Sequence, residues 1–267
     1  MADRSIGLCA VATAVISACA SPASAATYTY VITGAVDADN SFDLQNLFGP
    51  DLTGASFTAT FVLDDSLPTA SYQYDVSGSR ADGGGAFLAG TTPPMTGVIA
   101  INGHSFTIPQ GDLTQVPVID PISGDGSGPT ETEQDEANAI KDGASKNLQL
   151  DATFSDDYSC CAPVTSEGSK VGSGISLSLD SLGFTSPDFR EVGTFALSPS
   201  SNGFFYDFYD YISREGENGN SSDIALLPQS LTVSVSGVPE PAAWTMMVAG
   251  FAAAGIAARR RRGALRA

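Results

Sequence analysis

The sequence holds 267 residues, 42% of them hydrophobic, and its 12 basic, 30 acidic and one histidine residues give a formal charge of −18. Length and apolar content suffice for one substantial core or two small ones. The acidity excludes unaided binding to nucleic acid or to an anionic lipid surface, because phosphate is repelled, and it favours solubility or divalent cations.

Residues 1–26 read as a secretory signal peptide. Arg4 gives a thin positive start beside Asp3, Ile6 to Ala20 is apolar and small, and Ala23-Ser24-Ala25 followed by Ala26 is an A-x-A cleavage signature. Cleavage is expected after Ala25 or Ala26. Ile16-Ser17-Ala18-Cys19 also resembles a lipobox, which would make Cys19 the lipidated first residue, so two processing routes stand as alternatives.

Residues 27–237 read as one β-rich domain. Setting aside Asp3, Arg4, Glu240, Arg259 to Arg262 and Arg266 leaves 6 basic against 28 acidic residues, a charge of −22. Tyr28 to Val36 and Ser56 to Leu63 alternate aromatic or aliphatic residues with threonine, serine and valine, the period of a strand. Similar runs are Tyr72 to Val76, Gly97 to Ile101, Ser105 to Ile108, Leu148 to Phe154, Ile175 to Leu179, Gly193 to Leu197, Phe204 to Tyr211 and Ser230 to Ser236. Short strands separated by turn residues predict a mainly β fold, an antiparallel β-sandwich or jelly-roll-like domain. Asn102-Gly103 predicts a two-residue hairpin turn, since both residues tolerate positive φ. Gly83-Gly84-Gly85 to Pro94 reads as a flexible loop, and Asp120 to Gln134 as an acidic loop or a divider between lobes. Glu131 to Lys146, rich in helix formers but poor in apolar residues, predicts at most a short surface helix.

Catalytic residues are not expected. His104 is the sole histidine, lies beside a predicted turn, and has no G-x-S-x-G companion, so it reads as a surface or turn residue. Asp64-Asp65 and Asp156-Asp157 are sequence neighbours whose side chains would point to opposite faces of a strand, unlike the facing carboxylates of a glycosidase. Zinc lacks clustered ligands. Calcium is the one metal the pattern offers, through Asp37, Asp39 and Asp43, which start like a calcium loop. Phe42 replaces the glycine of that loop and Phe48 its closing glutamate. Glu217 to Asp223 is a second acidic loop of this kind. Turn chemistry is the first reading of both stretches and calcium the second.

Cys160 and Cys161 remain after signal removal; in an oxidising compartment they would form a vicinal disulfide, bridge two chains or stay free, and the first is expected. The run Phe204, Phe205, Tyr206, Phe208, Tyr209, Tyr211 with Asp207 and Asp210 interleaved reads as core or as a sugar-stacking face.

The chain closes on residues 238–267. Ala242 to Ala258 carries no charge and reaches about 25 Å as a helix, which arginine stems at Arg259, Arg260, Arg261 and Arg262 can extend to the headgroups of a membrane. A transmembrane helix is expected, with the arginines cytoplasmic, Trp244 near the outer interface and the domain outside. Val238, Pro239, Glu240 and Pro241, then Trp244, Met246, Met247, the small-residue span and the arginine cluster resemble the PEP-CTERM sorting signal of exported Gram-negative proteins. That resemblance implies Sec translocon and signal peptidase as export partners, membrane retention by the tail, and recognition of the Pro-Glu-Pro region by an exosortase. It further implies residence at the cell surface or in the exopolysaccharide matrix. For residues 27–237 it supplies no activity. The reading for them is a non-enzymatic structural or interaction role, with a carbohydrate-binding module and a carbohydrate-active enzyme as alternatives.

Overall fold

Along residues 56–64 the two-residue period is realised as read. Phe57, Ala59, Phe61 and Leu63 are buried, while Ser56 and Val62 turn to solvent. A computed structural model describes residues 26–67, 70–84, 91–109, 130–160, 167–213 and 216–237 of the chain. The expected signal peptide and transmembrane helix lie outside these residues. Among the described residues all regular structure is strand, and no helix is long and apolar enough to cross a membrane.

In chain order the strands are β1 (Ala26–Asp43), β2 (Ser56–Asp64), β3 (Ser71–Tyr74), β4 (Gly78–Gly84), β5 (Met95–Ile101) and β6 (His104–Thr107). There follow β7 (Thr130–Asp142), β8 (Asn147–Cys160), β9 (Glu167–Asp180), β10 (Gly193–Ala196), β11 (Asn202–Ser213) and β12 (Gly216–Gly237). They form one sheet in the order β3-β4-β7-β8-β9-β11-β12-β1-β2-β5-β6, with β10 also paired to β12. The registers of neighbouring strands run antiparallel, from the β1–β2 ladder to the long β7–β8 and β8–β9 ladders. The sheet curls on itself, so that β5 lies against β7, β8 and β9. The domain is therefore mainly β and antiparallel as expected, built from one curled sheet.

The inward face carries the core. Tyr30, Ile32, Phe57, Phe61, Leu63, Met95, Ile99 and Ile101 from one side meet Leu148, Leu150, Ile175, Leu177, Leu179 and Phe205 from the other, and all are almost fully buried. Phe205 takes edge-to-face contacts with Phe48 and Phe106, centroids 5.2 and 5.1 Å away, each contributing about 0.5–1.5 kcal/mol beyond its buried area. The Tyr30 hydroxyl donates to the Phe189 carbonyl at 3.0 Å, which satisfies its polar end inside the core; burial first, then the Asp188 carboxylate, raises that phenol far above its ordinary range.

β12 changes partner midway. Its first half pairs with β11 up to Leu226, and Ser230 to Val233 pair with β10. The inward positions shift from Ile224 and Leu226 to Leu231 and Val233, an odd displacement that requires one extra residue between them. Pro228 sits at that irregularity, where its missing N–H is tolerated. Gly34 of β1 lies against it: a Cβ there would come 2.9 Å from the Pro228 Cα and 2.7 Å from the Phe57 ring.

Every expected strand is present, and four expectations are corrected, the first being that residues 130–134, the end of the expected acidic loop, open β7. Residues 131–146 are not a surface helix: β7 pairs with β4 on one side and β8 on the other, and Ala137, Ala139 and Lys141 alternate into the interior. Pairing on both sides overrides the helix propensity of its Glu, Ala and Lys residues. Gly83 and Gly84, read as loop, belong to β4, held between β3 and β7. Residues 37–43 and 217–223, read as acidic loops, are the end of β1 and part of β12. The Ser41 hydroxyl donates to the Asp37 carbonyl at 2.6 Å and accepts the Ala225 N–H at 2.9 Å, so a side chain supplies a rung and β1 runs on. Asn102-Gly103 forms the expected turn between β5 and β6, with φ of 52° and 82°.

Candidate functional site

The outward face of β4, β7, β8, β9 and β11 collects the residues with unspent chemistry. Register puts Asp82, Asn138, Asp151, Ser176 and Phe204 in one row across the sheet, each opposite the next. The adjoining row runs Gly84, Glu136, Thr153, Gly174, Tyr206. Neighbouring strands are about 4.8 Å apart, so carboxylates distant in sequence become neighbours on this surface.

Asp82 is buried and binds the Arg80 Nε at 2.5 Å through one oxygen, while its Oδ1 has no partner. Asn138 donates its amide to Glu136 at 3.4 Å, and its Oδ1 is likewise out of water without a partner. Asp151 accepts the Ser176 hydroxyl. Burial lifts the Asp151 carboxyl above its usual range, opposed by the hydrogen bonds from Ser176 and Gln149. The face thus presents acceptors in excess of donors.

Beside these acceptors stand three rings. Phe204, Tyr206 and Phe208 alternate outward along β11, with centroid spacings of 6.0 and 6.2 Å and interplanar angles of 27° and 22°. They lean over a glycine strip on β9. A Cβ on Gly174 would come 2.6 Å from the Tyr206 ring, and one on Gly172 would come 2.6 Å from the Phe208 Cζ, so only glycine leaves them room. Phe204 is 49% exposed, and Tyr206 and Phe208 are half-buried. Burial raises the Tyr206 phenol pKa, and the Asp151 and Glu136 carboxylates raise it further.

The residues singled out in the sequence are placed differently. Asp37 and Asp39 lie on β1 and Asp43 at its end. Asp43 accepts the N–H groups of Leu47 at 2.9 Å and Phe48 at 2.7 Å, together with the Ser222 hydroxyl at 2.6 Å, so its oxygens close the turn after β1. Among the described residues no three His, Cys, Asp or Glu side chains come together as metal ligands. His104 is exposed at the start of β6. Asp64 accepts the N–H and hydroxyl of Ser66 as a turn residue. Cys160 ends β8 opposite Glu167, and Cys161 lies outside the described residues. Tyr206 and Tyr209 fall on opposite faces of β11, so the sequence run is not one surface. Phe205 is core, and the outward set is Phe204, Tyr206 and Phe208.

Asp82, Glu136, Asn138 and Asp151 were missed because no spacing links them. Gly172 and Gly174, two residues apart within a strand, were the available sign that side chains from a neighbouring strand cross there.

Val238, Pro239, Glu240, Pro241, Trp244, Arg259, Arg260, Arg261 and Arg262 lie outside the described residues. For them comparison with known proteins supplies the finding: residues 237–262 match the PEP-CTERM protein-sorting motif. No curated protein and no solved structure matches the chain. The motif is the recognition signal of exosortase, and it marks the chain as an exported protein processed at the membrane by that enzyme.

Proposed function

We propose that this chain is an exosortase-sorted protein whose β domain has a non-enzymatic interaction role at the cell surface or in the extracellular matrix of a Gram-negative bacterium. The sorting motif at residues 237–262 carries the reading. The domain supports it: a curled sheet whose outward face brings Asp82, Glu136 and Asp151 together beside an aromatic row, an arrangement suited to contact. The charge of residues 27–237 keeps like molecules apart and disfavours nucleic acid and anionic lipid.

The test is the intact mass of the protein recovered from the envelope and from the medium. The expected species in the medium begins after Ala25 or Ala26 and ends within Pro239 to Pro241. A protein that in every fraction retains Arg259 to Arg262 overturns the sorting role and makes the tail a permanent anchor.

A further inference from the structure

We propose that the outward face of β4, β7, β8, β9 and β11 binds a neutral glycan: Phe204, Tyr206 and Phe208 receive the apolar C–H faces of its sugar rings, and Asp82, Glu136, Asn138 and Asp151 accept its hydroxyl hydrogens. The inference rests on the interaction role just proposed and names its ligand class.

Four observations converge on this class. First, Asp82 Oδ1 and Asn138 Oδ1 are shielded from water with no donor, on side chains that the register makes direct neighbours. An acceptor in that state is destabilising, and a side-chain turn that brings it out to a ligand hydroxyl relieves it. Second, the aromatic row adjoins the acceptors through Ser176 and Gly174, so apolar and polar recognition fall side by side, as an amphipathic ring with axial C–H groups and equatorial hydroxyls requires. Third, the nearby cation Arg80 is engaged by Asp82, which leaves the face acidic and repels uronate, sulfate and phosphate groups. Fourth, the backbone N–H and C=O groups of these strands are consumed by ladders on both sides for β7, β8, β9 and β11, so a peptide finds no edge to extend. A bare cation would leave the aromatic row without a role.

Affinity electrophoresis of the full chain in a zwitterionic detergent tests this, with gels containing hydroxyethylcellulose, laminarin, galactomannan or dextran, and alginate as the anionic comparison. Retardation is expected in at least one neutral gel and absent in alginate. Tyr206→Ala should weaken it at least about tenfold, as for a central aromatic anchor, and Tyr206→Phe should keep most of it. Glu136→Gln, at an exposed position that does not threaten the fold, should weaken it several-fold, whereas Tyr209→Ala on the opposite face should leave it unchanged. Thermal melts of each variant separate lost binding from lost folding. No retardation in any neutral gel, or retardation untouched by both Tyr206→Ala and Glu136→Gln, overturns the proposal. Retardation abolished by EDTA also overturns it, in favour of a cation-bridged site. None of these outcomes depends on tail processing, so this proposal and the sorting role fail separately.

Discussion

The Glu191→Gln substitution puts the ionic centre of the domain to the test. Lys141, an inward residue of β7, buries its ammonium to 2% exposure against the Glu191 carboxylate, itself 13% exposed. The ring of Phe184 lies 4.2 Å from the Lys141 Nζ and that of Phe195 lies 6.0 Å away. Glutamine leaves the ammonium with those ring faces, worth about 2 kcal/mol when desolvated, against a desolvation penalty of several kcal/mol. The expected loss is about 3–5 kcal/mol, which for a domain of this size lowers Tm by about 6–20 °C. Lys141→Met keeps the stem volume and leaves Glu191 near solvent with the Thr185 N–H at 3.0 Å and hydroxyl at 2.6 Å, so its loss should be the smaller. Urea unfolding across a pH series measures both. Burial disfavours the Glu191 charge, but Lys141, the Thr185 hydroxyl and the Thr185 and Ser186 N–H groups outweigh it and hold the pKa at about 2, below the ordinary 4.5. A depressed folded pKa means that the stabilisation is complete above about 4.5 and is lost as pH falls from there towards about 2. The gap between wild type and Glu191→Gln should close over that window. A loss below about 1 kcal/mol at neutral pH, or a gap indifferent to acid, would refute the argument.

Two further substitutions test local structure. Asp43→Ala removes the acceptor for the Leu47 and Phe48 N–H groups and the Ser222 hydroxyl, and Ser222 is fully buried, so a loss of about 2–4 kcal/mol is expected in urea unfolding; added calcium should not restore it. Gly34→Ala drives a Cβ into the backbone at Leu227 and Pro228, which cannot move aside as a side chain can, and should lower the melting temperature by an amount equivalent to about 1–3 kcal/mol or more. An alanine variant that melts with the wild type would show that β1 and β12 do not approach as described.

Strands with large alternating residues were legible because packing and period agreed: Phe57, Phe61 and Leu63 announce β2 without help. β4 and β7 were not, because their inward positions are Ser79, Ala81, Ala137, Ala139 and Lys141, small or charged residues that carry little β signal. Their strand state comes from neighbours on both sides. The outward face was illegible for a related reason. Asp82, Glu136 and Asp151 belong to three strands, and only the ladder registers bring them together. The acidic run 37–43 misled because its turn chemistry is real, expressed through Asp43, while its strand is completed by the Ser41 hydroxyl. The sorting motif was legible, since a motif read by an enzyme is written in consecutive residues.

The last strand and the sorting motif meet without a linker, and this constrains processing. The motif match begins at Gly237, the final residue of β12, and Pro239 follows two residues later, at most about 7 Å of extended chain away. An exosortase must therefore work close to a folded sheet or draw on the end of β12. The structure makes the second route cheap. The rungs from β12 to β10 stop at Val233, and Ser234, Val235 and Ser236 are exposed beyond them. The Thr33–Ser230 hydroxyl contact of 2.8 Å places this end beside the start of β1, so β1 is the neighbour that holds it. A strand end with one strand partner among the described residues and exposed side chains at 234–236 opens at low free energy and leaves Leu231 and Val233 in the core. Cleavage within Pro239 to Pro241 can thus proceed on a folded domain, which is why a truncated yet fully folded species is the outcome that the intact-mass measurement should find.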